Sequence, residues 1–309
     1  MARILVTGGA GFIGSHVVDA YLAAGHEVSV VDNLLSGKRE NLNPQARFYE
    51  IDVRSDELAG VFEAEKPTYV THLAAQIDVR RSVADPRFDA DINILGGINL
   101  LENCVKHQVK KFLFSSTGGA IYGEPETLPA SEECPPNPQC HYAASKLSFE
   151  HYIRLYHSLY QLRYTILRFP NIYGPRQCPE GEAGVCSILT GLMLEGKQPT
   201  LFGHGTPERD YVFVGDIARG ALLALDKGDN TIINLGSGKS ATVQDLFDIL
   251  KDLTGYVGEP MLKPLRMGEV QRVFITGDRA AEVLGWRAET TLREGLRQTV
   301  EHIRGQVGG

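Results

Sequence analysis

The sequence lacks most of the features that would assign it at a glance. It has one tryptophan and four methionines, no C-x-x-C pair, and no apolar run approaching the length of a membrane span. Its five cysteines, Cys104, Cys134, Cys140, Cys178 and Cys186, are scattered and odd in number. That spacing argues against a metal centre and a disulfide framework, and it suits a reducing cytoplasm. Positive charge is also short: 31 Lys and Arg stand against 38 Asp and Glu, a net charge of −7. A broad nucleic-acid surface is therefore not expected, although a local arginine cluster could still hold a small anion. "MARILVTGG" runs straight into a strand pattern, so no signal peptide is expected. These absences predict a cytoplasmic protein with no metal, no nucleic-acid partner and no membrane partner.

What is present is ordinary in bulk and specific in pattern. The chain has 309 residues, 43% hydrophobic and 22% charged, enough to bury a sizeable core. Short apolar runs occur at 3–8, 27–32, 47–52, 68–74, 110–116 and 163–169. Helical spacing fills the gaps at 12–26, 55–65, 85–108 and 141–160. Strands alternating with helices of this length predict an α/β fold with a doubly wound parallel sheet of the Rossmann type. After residue 170 the pattern loosens. "FPNIYGPRQCPEGEAG" reads as a long loop, and 231–236 with 242–253 reads as one further β-α unit. The expected division is a dinucleotide-binding domain over 1–170 and a smaller, interleaved α/β substrate domain over 171–309. Segments at about 205–240 are expected to return to the first domain.

"TGGAGFIG" places Gly8, Gly11 and Gly14 in G-x-x-G-x-x-G spacing between the first strand and the first helix. Glycine permits a tight turn and a close backbone approach to a pyrophosphate. The helix start, at Phe12 and Ile13, then offers unpaired N–H groups to the anion. Asp32 ends the second strand, 18 residues after Gly14, where a carboxylate bonds both ribose hydroxyls; Asn33 follows it. A carboxylate there repels a 2′-phosphate, which predicts NAD rather than NADP. Asp52 and Val53 end the third strand, where an adenine could rest, although an ordinary strand-end aspartate fits the pattern nearly as well. Leu73, Ala74 and Ala75 close the fourth strand with side chains small enough to let a cofactor lie against the backbone.

"HYAASKLSFE" sets Tyr142 and Lys146 four residues apart, on one face of a helix. Free tyrosine, with a pKa near ~10, is too weakly acidic to serve as a base at neutral pH. A neighbouring ammonium and a cationic nicotinamide favour its phenolate. Ser115, Ser116 and Thr117 end the fifth strand, and ligands of such sheets bind beyond the carboxyl ends of the strands.

Taken together, "TGGAGFIGSH", "DNLLSGKREN", "HLAAQ", "NILGGINLLE", "FSSTGGAIYG", "YAASK", "RFPNIYGPRQ", "RDYVFVGDIA" and "RMGE" cover nearly the whole chain. Their order and spacing resemble the extended short-chain dehydrogenase/reductase family and, within it, the UDP-glucose 4-epimerases. The resemblance implies NAD as cofactor and a UDP-sugar as substrate. It implies Tyr142 as catalytic base, Lys146 as the ligand of the nicotinamide ribose, and Thr117 as the helper hydroxyl. The stretch Ser115 to Tyr122 is one residue longer than the commoner family form, so Ser116 competes with Thr117 for that role; Thr117 is favoured. Arg209 and Arg266 resemble diphosphate ligands, with Glu269 closing the "RMGE" motif, and Asn171 resembles a diphosphate-contacting asparagine. Ser82 matches a serine placed near the sugar. Leu201 and Phe202 either pack near the uracil or belong to the core. Arg80 and Arg81 read as solvated loop residues outside the site. The resemblance also implies a homodimer built on helices 85–108 and 141–160. The second of these carries Phe149, Tyr152, Ile153, Leu155 and Tyr156, more apolar surface than one buried stripe needs.

Related 4,6-dehydratases carry Asp-Glu just after the helper hydroxyl, and related decarboxylases place a glutamate in the same region. Here Gly118 and Gly119 stand there, and glycine moves no protons. Epimerisation needs no such group. The expected reaction is therefore 4-epimerisation of UDP-glucose and UDP-galactose. An N-acetylated or uronic UDP-sugar is the alternative, because Val273 stands where a bulky aromatic would close off an N-acetyl group. A dinucleotide-sensing protein without catalysis is a more distant one, since such proteins typically lack the tyrosine or the lysine.

Overall fold

The computed structural model describes residues 1–178, 184–265 and 270–307. The chain opens with β1 (Arg3–Thr7), α1 (Phe12–Ala23), β2 (Glu27–Val31), β3 (Arg47–Tyr49), α2 (Leu58–Glu65) and β4 (Tyr69–His72). Then come α3 (Val79–Ala84), α4 (Pro86–Ala90), α5 (Gly96–Lys106), β5 (Lys111–Thr117), α6 (His141–Tyr160) and β6 (Arg163–Phe169). The remainder runs β7 (Asn171–Tyr173), α7 (Val185–Leu194), β8 (Thr200–Phe202), β9 (Glu208–Arg209), β10 (Tyr211–Phe213), α8 (Val214–Ala224) and β11 (Thr231–Asn234). It ends with β12 (Ala241–Thr242), α9 (Val243–Thr254), β13 (Met261–Lys263), β14 (Arg272–Val273), α10 (Asp278–Val283) and α11 (Leu292–Val307).

Seven strands pair in parallel in the order β11-β6-β5-β4-β1-β2-β3. A sheet of this kind is covered on both faces, so its strands read as unbroken apolar runs. In β1, RILVT, every residue after the first is buried. Successive side chains point to opposite faces. Ile4 and Val6 pack on one side with Val17, Tyr21, Ile217 and Trp286. Leu5 packs on the other with Phe62, Leu101, Phe112 and Phe149. Strand order reverses between β1 and β4, which opens the crevice in which such sheets hold ligands.

Four sequence expectations change. Arg80 and Arg81 lie in a helix, α3, because the Asp78 carboxylate accepts from the Arg81 N–H and caps it. The single helix expected over 85–108 is interrupted: α4, capped by Asp85, passes through a π-helical turn at Asp91–Leu95 before α5 begins. The loop expected at 169–184 contains β7, which pairs with β10; residues 179–183 lie outside the described residues. Finally, 231–236 and 242–253 do not form one β-α unit. β11 docks beside β6 at the edge of the large sheet. α9 joins a separate C-terminal core around Leu201, Leu246, Phe247, Leu250 and Leu296, its start fixed by a reciprocal cap between Thr242 and Asp245.

Candidate active site

The glycine turn is fixed by close backbone approach. Gly8 has φ +74°, donates its N–H to the Val31 carbonyl at 2.9 Å, and a Cβ on it would fall 2.6 Å from the Ala74 nitrogen. A Cβ on Gly14 would fall 2.0 Å from the Gly8 carbonyl oxygen. Both positions therefore exclude any side chain, whereas Gly11 meets only that same oxygen, at 3.2 Å. Gly11 is the N-cap of α1 and supplies no side-chain acceptor, so the first-turn N–H groups, beginning at Phe12 and Ile13, face the turn. Half-buried Leu73, Ala74 and Ala75 follow β4 beside it, with the Ala74 N–H donating to Thr7 Oγ1 at 3.3 Å.

Asp32 is buried at the end of β2. Its two oxygens accept from the Ala10 N–H at 3.0 Å and the Leu34 N–H at 2.9 Å. Burial pushes its pKa up, and these two bonds oppose the rise. Asn33 is exposed and donates to Asp52 at 2.8 Å. The remaining acceptor positions of Asp52 take the Arg54 N–H, Nε and Nη2 at 2.8–2.9 Å, which hold its pKa down at about 2. A base arriving at Asp52 would displace one of these donors, and both Asn33 and Arg54 are exposed. The Val53 side chain is buried in the second core, and its carbonyl accepts from Asn99 at 2.8 Å.

Tyr142 and Lys146 project from the first turns of α6 toward the end of β5. The Lys146 ammonium, 3% exposed, donates to the Ser115 carbonyl at 3.0 Å. It lies 4.7 Å from the centroid of the Phe114 ring and 5.9 Å from that of Tyr142. Burial drives its pKa down to about 7, against the pull of the Asp89 and Glu150 carboxylates. Burial also pushes the Tyr142 phenol up, with smaller contributions from Cys140 and Asp89. The protein alone thus keeps the phenol protonated.

Ser116 and Thr117 differ in what their side chains face. Ser116 donates to Glu150 Oε1 at 2.5 Å and so turns into the protein. Thr117, the next residue on the strand, points to the opposite face. Glu150 in turn takes a forked pair of bonds from Arg168, at 3.0 and 2.6 Å. Arg168 also donates to the Tyr122 hydroxyl at 2.8 Å.

The substrate side shows what each expected residue does. Ser82 is fully buried. Its hydroxyl donates to the Val79 carbonyl at 2.7 Å and accepts from the Tyr142 N–H at 3.2 Å. The expectation that Ser82 meets the sugar therefore gives way: it pins the start of α6, whose N-cap, Cys140, makes no side-chain bond. Leu201 is likewise corrected, since its side chain is sealed in the C-terminal core; Phe202 is half-buried. Asn171 stands exposed at the start of β7, its Oδ1 3.2 Å from where a Cβ on Gly119 would lie. A Cβ on Gly118 would fall 2.4 Å from Ile275. Arg209 donates to the carbonyls of Glu208 and Gln271 at 2.9 and 3.2 Å, and to that of Val270. Val273, opposite Arg209 on β14, is buried. Arg266 and Glu269 lie outside the described residues.

Sequence reasoning missed several groups. Glu150 lies four residues after Lys146, a spacing that is visible in "KLSFE", but its partner Arg168 comes from β6. Asp210, buried beside Arg209, accepts from Ser237 N–H and Oγ at 2.9 and 2.5 Å, and burial raises its pKa to about 7. No cluster of metal-ligating side chains occurs among the described residues, and no helix among them is long and apolar enough to cross a membrane.

Three relatives put this geometry in context. The chain is 41% identical over 308 residues to the UDP-glucose 4-epimerase of Mycolicibacterium smegmatis, with 98% of each covered. It is 50% identical to a solved UDP-glucose 4-epimerase of Thermotoga maritima with UDP-glucose, at a TM-score of 0.97 and 99% coverage of both chains. Against the UDP-glucose 4-epimerase of Thermus thermophilus in complex with NAD, identity is 45% and the TM-score 0.92, over 98% of this chain and 99% of the other. Residues 4–236, from β1 through β11, match one family along the whole parallel sheet, and the chain belongs to it: the NAD dependent epimerase/dehydratase family.

Proposed function

We propose that this protein interconverts UDP-glucose and UDP-galactose by NAD-dependent epimerisation at carbon 4, through a 4-keto intermediate. The observation that carries the reading is the placing of Tyr142 and Lys146 on one face of α6 against the end of β5. Thr117 ends that strand, and Gly118 and Gly119 follow it. The solved relatives that hold UDP-glucose and NAD support the same substrate and cofactor.

The residues fit a dinucleotide: side chains at Gly8 or Gly14 would fill the cradle, and a buried carboxylate, Asp32, stands at the end of β2. NAD held there would supply reversible hydride chemistry for carbon 4. Gly8, Gly11, Phe12, Ile13 and Gly14 hold its pyrophosphate, Asp32 and Asn33 its ribose, and Asp52 and Val53 border its adenine. Leu73, Ala74 and Ala75 flank it. Tyr142 removes the 4-hydroxyl proton, Thr117 relays it, and Lys146 stabilises the phenolate while binding the second ribose. The proton removed is later given back, so no additional acid or base is required at Gly118 and Gly119. Asn171, Arg209 and Arg266 anchor the diphosphate, and Glu269 meets another part of the nucleotide sugar.

Residues 1–170, with returning segments at about 205–240 that include α8 and β11, make up the NAD-binding part in this reading, and most of 171–309 holds the nucleotide sugar. Two copies pair through α6 and the π-helical turn leading into α5, where Leu95, Tyr152, Leu155, Leu159 and Tyr160 are exposed. Five unpaired thiols favour a cytoplasmic location.

The test is product analysis after separate incubation with UDP-glucose, UDP-N-acetylglucosamine and UDP-glucuronate. UDP-galactose from UDP-glucose, without net redox change, is expected. In Tyr142→Phe turnover should fall roughly 10²–10⁴-fold, as for loss of a positioned acid/base, while UDP binding persists. A dehydrated 4-keto product would overturn the reaction. Undiminished turnover in Tyr142→Phe would overturn the mechanism.

A further inference from the structure

Ser116 has no part in the reaction just described, yet it sits between two residues that do. Before it, Ser115 offers the carbonyl that takes the Lys146 ammonium at 3.0 Å. After it, Thr117 carries the hydroxyl that relays the proton in that reading. The strand bearing these three residues is held by the sheet on one side only. β4 stops beside β5 at the pair His72 and Phe114, whereas β6 continues alongside as far as Phe169, opposite Thr117. The early stop of β4 leaves room for a ligand beyond it. It also leaves Ser115, Ser116 and Thr117 without the second ladder that fixes the rest of β5. On that side their position depends on side-chain bonds.

We propose that Ser116 is a positioning residue: the bond it gives Glu150 locks the end of β5 to α6 in the register that Lys146 and Thr117 need. Ser116 is buried, and its hydroxyl donates to Glu150 Oε1 at 2.5 Å. Its one hydrogen is thereby committed, so it passes no proton to or from a sugar. Glu150 lies four residues after Lys146 and eight after Tyr142, so the three share a face of α6. The strand end is therefore pinned to that face twice, by Ser115 to Lys146 and by Ser116 to Glu150. Two bonds from adjacent strand residues to side chains one helical turn apart fix both the height and the rotation of the helix against the strand. The anchor is itself immobile. Arg168 stands opposite Ser116 in the pairing of β5 with β6, and its guanidinium is forked onto Glu150 at 3.0 and 2.6 Å. Arg168 also donates to the Tyr122 hydroxyl, which donates in turn to Asn234 on β11 at 2.9 Å. Ser116, Glu150 and Arg168 thus close a buried triangle between two strands and the helix that carries the reacting pair.

The inference rests on the reading of Lys146 and Thr117 as groups of the reaction, and Ser116→Ala tests it by deleting a single hydroxyl. Its kcat for UDP-glucose should fall roughly 10–10²-fold, the scale that a misplacement of about 1 Å produces. KM for UDP-glucose and the Kd of UDP should hold, because Asn171 and Arg209 sit on other elements, β7 and β9. Ser116→Thr, which keeps the donor, should restore kcat. Turnover is measured well below the unfolding temperature of each variant, so that lost stability alone leaves kcat untouched. Carbon-13 NMR of labelled lysine side chains in the full chain reads the same geometry without substrate. The Lys146 signal, assigned by its loss in Lys146→Arg, should move in Ser116→Ala and return in Ser116→Thr. An unchanged kcat, a loss carried by KM, an unrescued kcat in a folded Ser116→Thr, or a Lys146 signal that stays in place would overturn the inference. A signal that moves in a protein with no action on UDP-glucose would instead overturn the epimerase reading and leave the positioning standing.

Discussion

Replacing Glu150 with glutamine changes one atom and tests what ties α6 to the end of β6. The side chains of Glu150 and Arg168 are only 3% and 4% exposed, and three hydrogen bonds converge on the carboxylate. In Glu150→Gln the guanidinium stays buried without a counter-charge. Breaking a buried pair from one side costs about 3–5 kcal/mol, because the orphaned charge keeps its desolvation penalty. Removing both charges, as in Glu150→Leu with Arg168→Met, should cost less than the two single changes summed, since neither charge is then left alone. Urea unfolding can be followed through Trp286, the only tryptophan and fully buried against the first core. With a slope of about 3 kcal/mol per molar, Glu150→Gln should unfold at least about 1 M earlier than wild type. A loss below about 1 kcal/mol, or a double variant equal to the sum of the singles, would refute the claim that this pair fastens the two elements through charge.

Two further outcomes follow from the same geometry. Wild type should bind NAD more tightly than NADP, and Asp32→Ala should narrow the gap, because in the proposed site the carboxylate held by Ala10 and Leu34 would repel a 2′-phosphate; calorimetry with both cofactors checks this, and wild-type preference for NADP would sink it. The exposed apolar residues on α6 should be covered by a second copy. Light scattering at micromolar concentration should show a dimer, and Leu155→Glu, which puts a charge into that face, should give monomer; a monomeric wild type would contradict the assembly.

The parallel sheet is legible in the sequence because strands buried on both faces are apolar throughout, and "RILVTG" or "KFLFSS" can hardly be read otherwise. The glycine turn is legible for a related reason: backbone passes so close at Gly8 and Gly14 that no side chain fits. The Tyr142–Lys146 pair is readable as a helix-face spacing, but its environment is not. Ser82 bonds the Tyr142 backbone across sixty residues of chain. Asn93 reaches Asp89 from a π-helical turn that no residue pattern announces. Ser116 is separated from Thr117 as a candidate only by a glutamate on a different element. Leu201 reads as a candidate base contact because an apolar residue in a short strand carries no sign of which side it faces. Where function depends on which of two adjacent side chains points inward, only the packing decides.

The place of β11 bears on how this chain can be cut. Thr231–Asn234 closes the edge of the sheet beyond β6, and its Asn234 accepts from the same Tyr122 hydroxyl that Arg168 touches. α8 and Trp286, both later still than β6, cover one face of that sheet. A fragment ending after β6 would therefore bare an unpaired strand edge and an apolar face together, the two conditions under which chains stick to one another. The catalytic helix and its cofactor cradle, although encoded almost entirely in the first half of the chain, cannot be expected to stand as a separable module. A gene fusion or a split reporter built on this protein should divide it at an exposed loop that leaves β11 and α8 with the strands they cover.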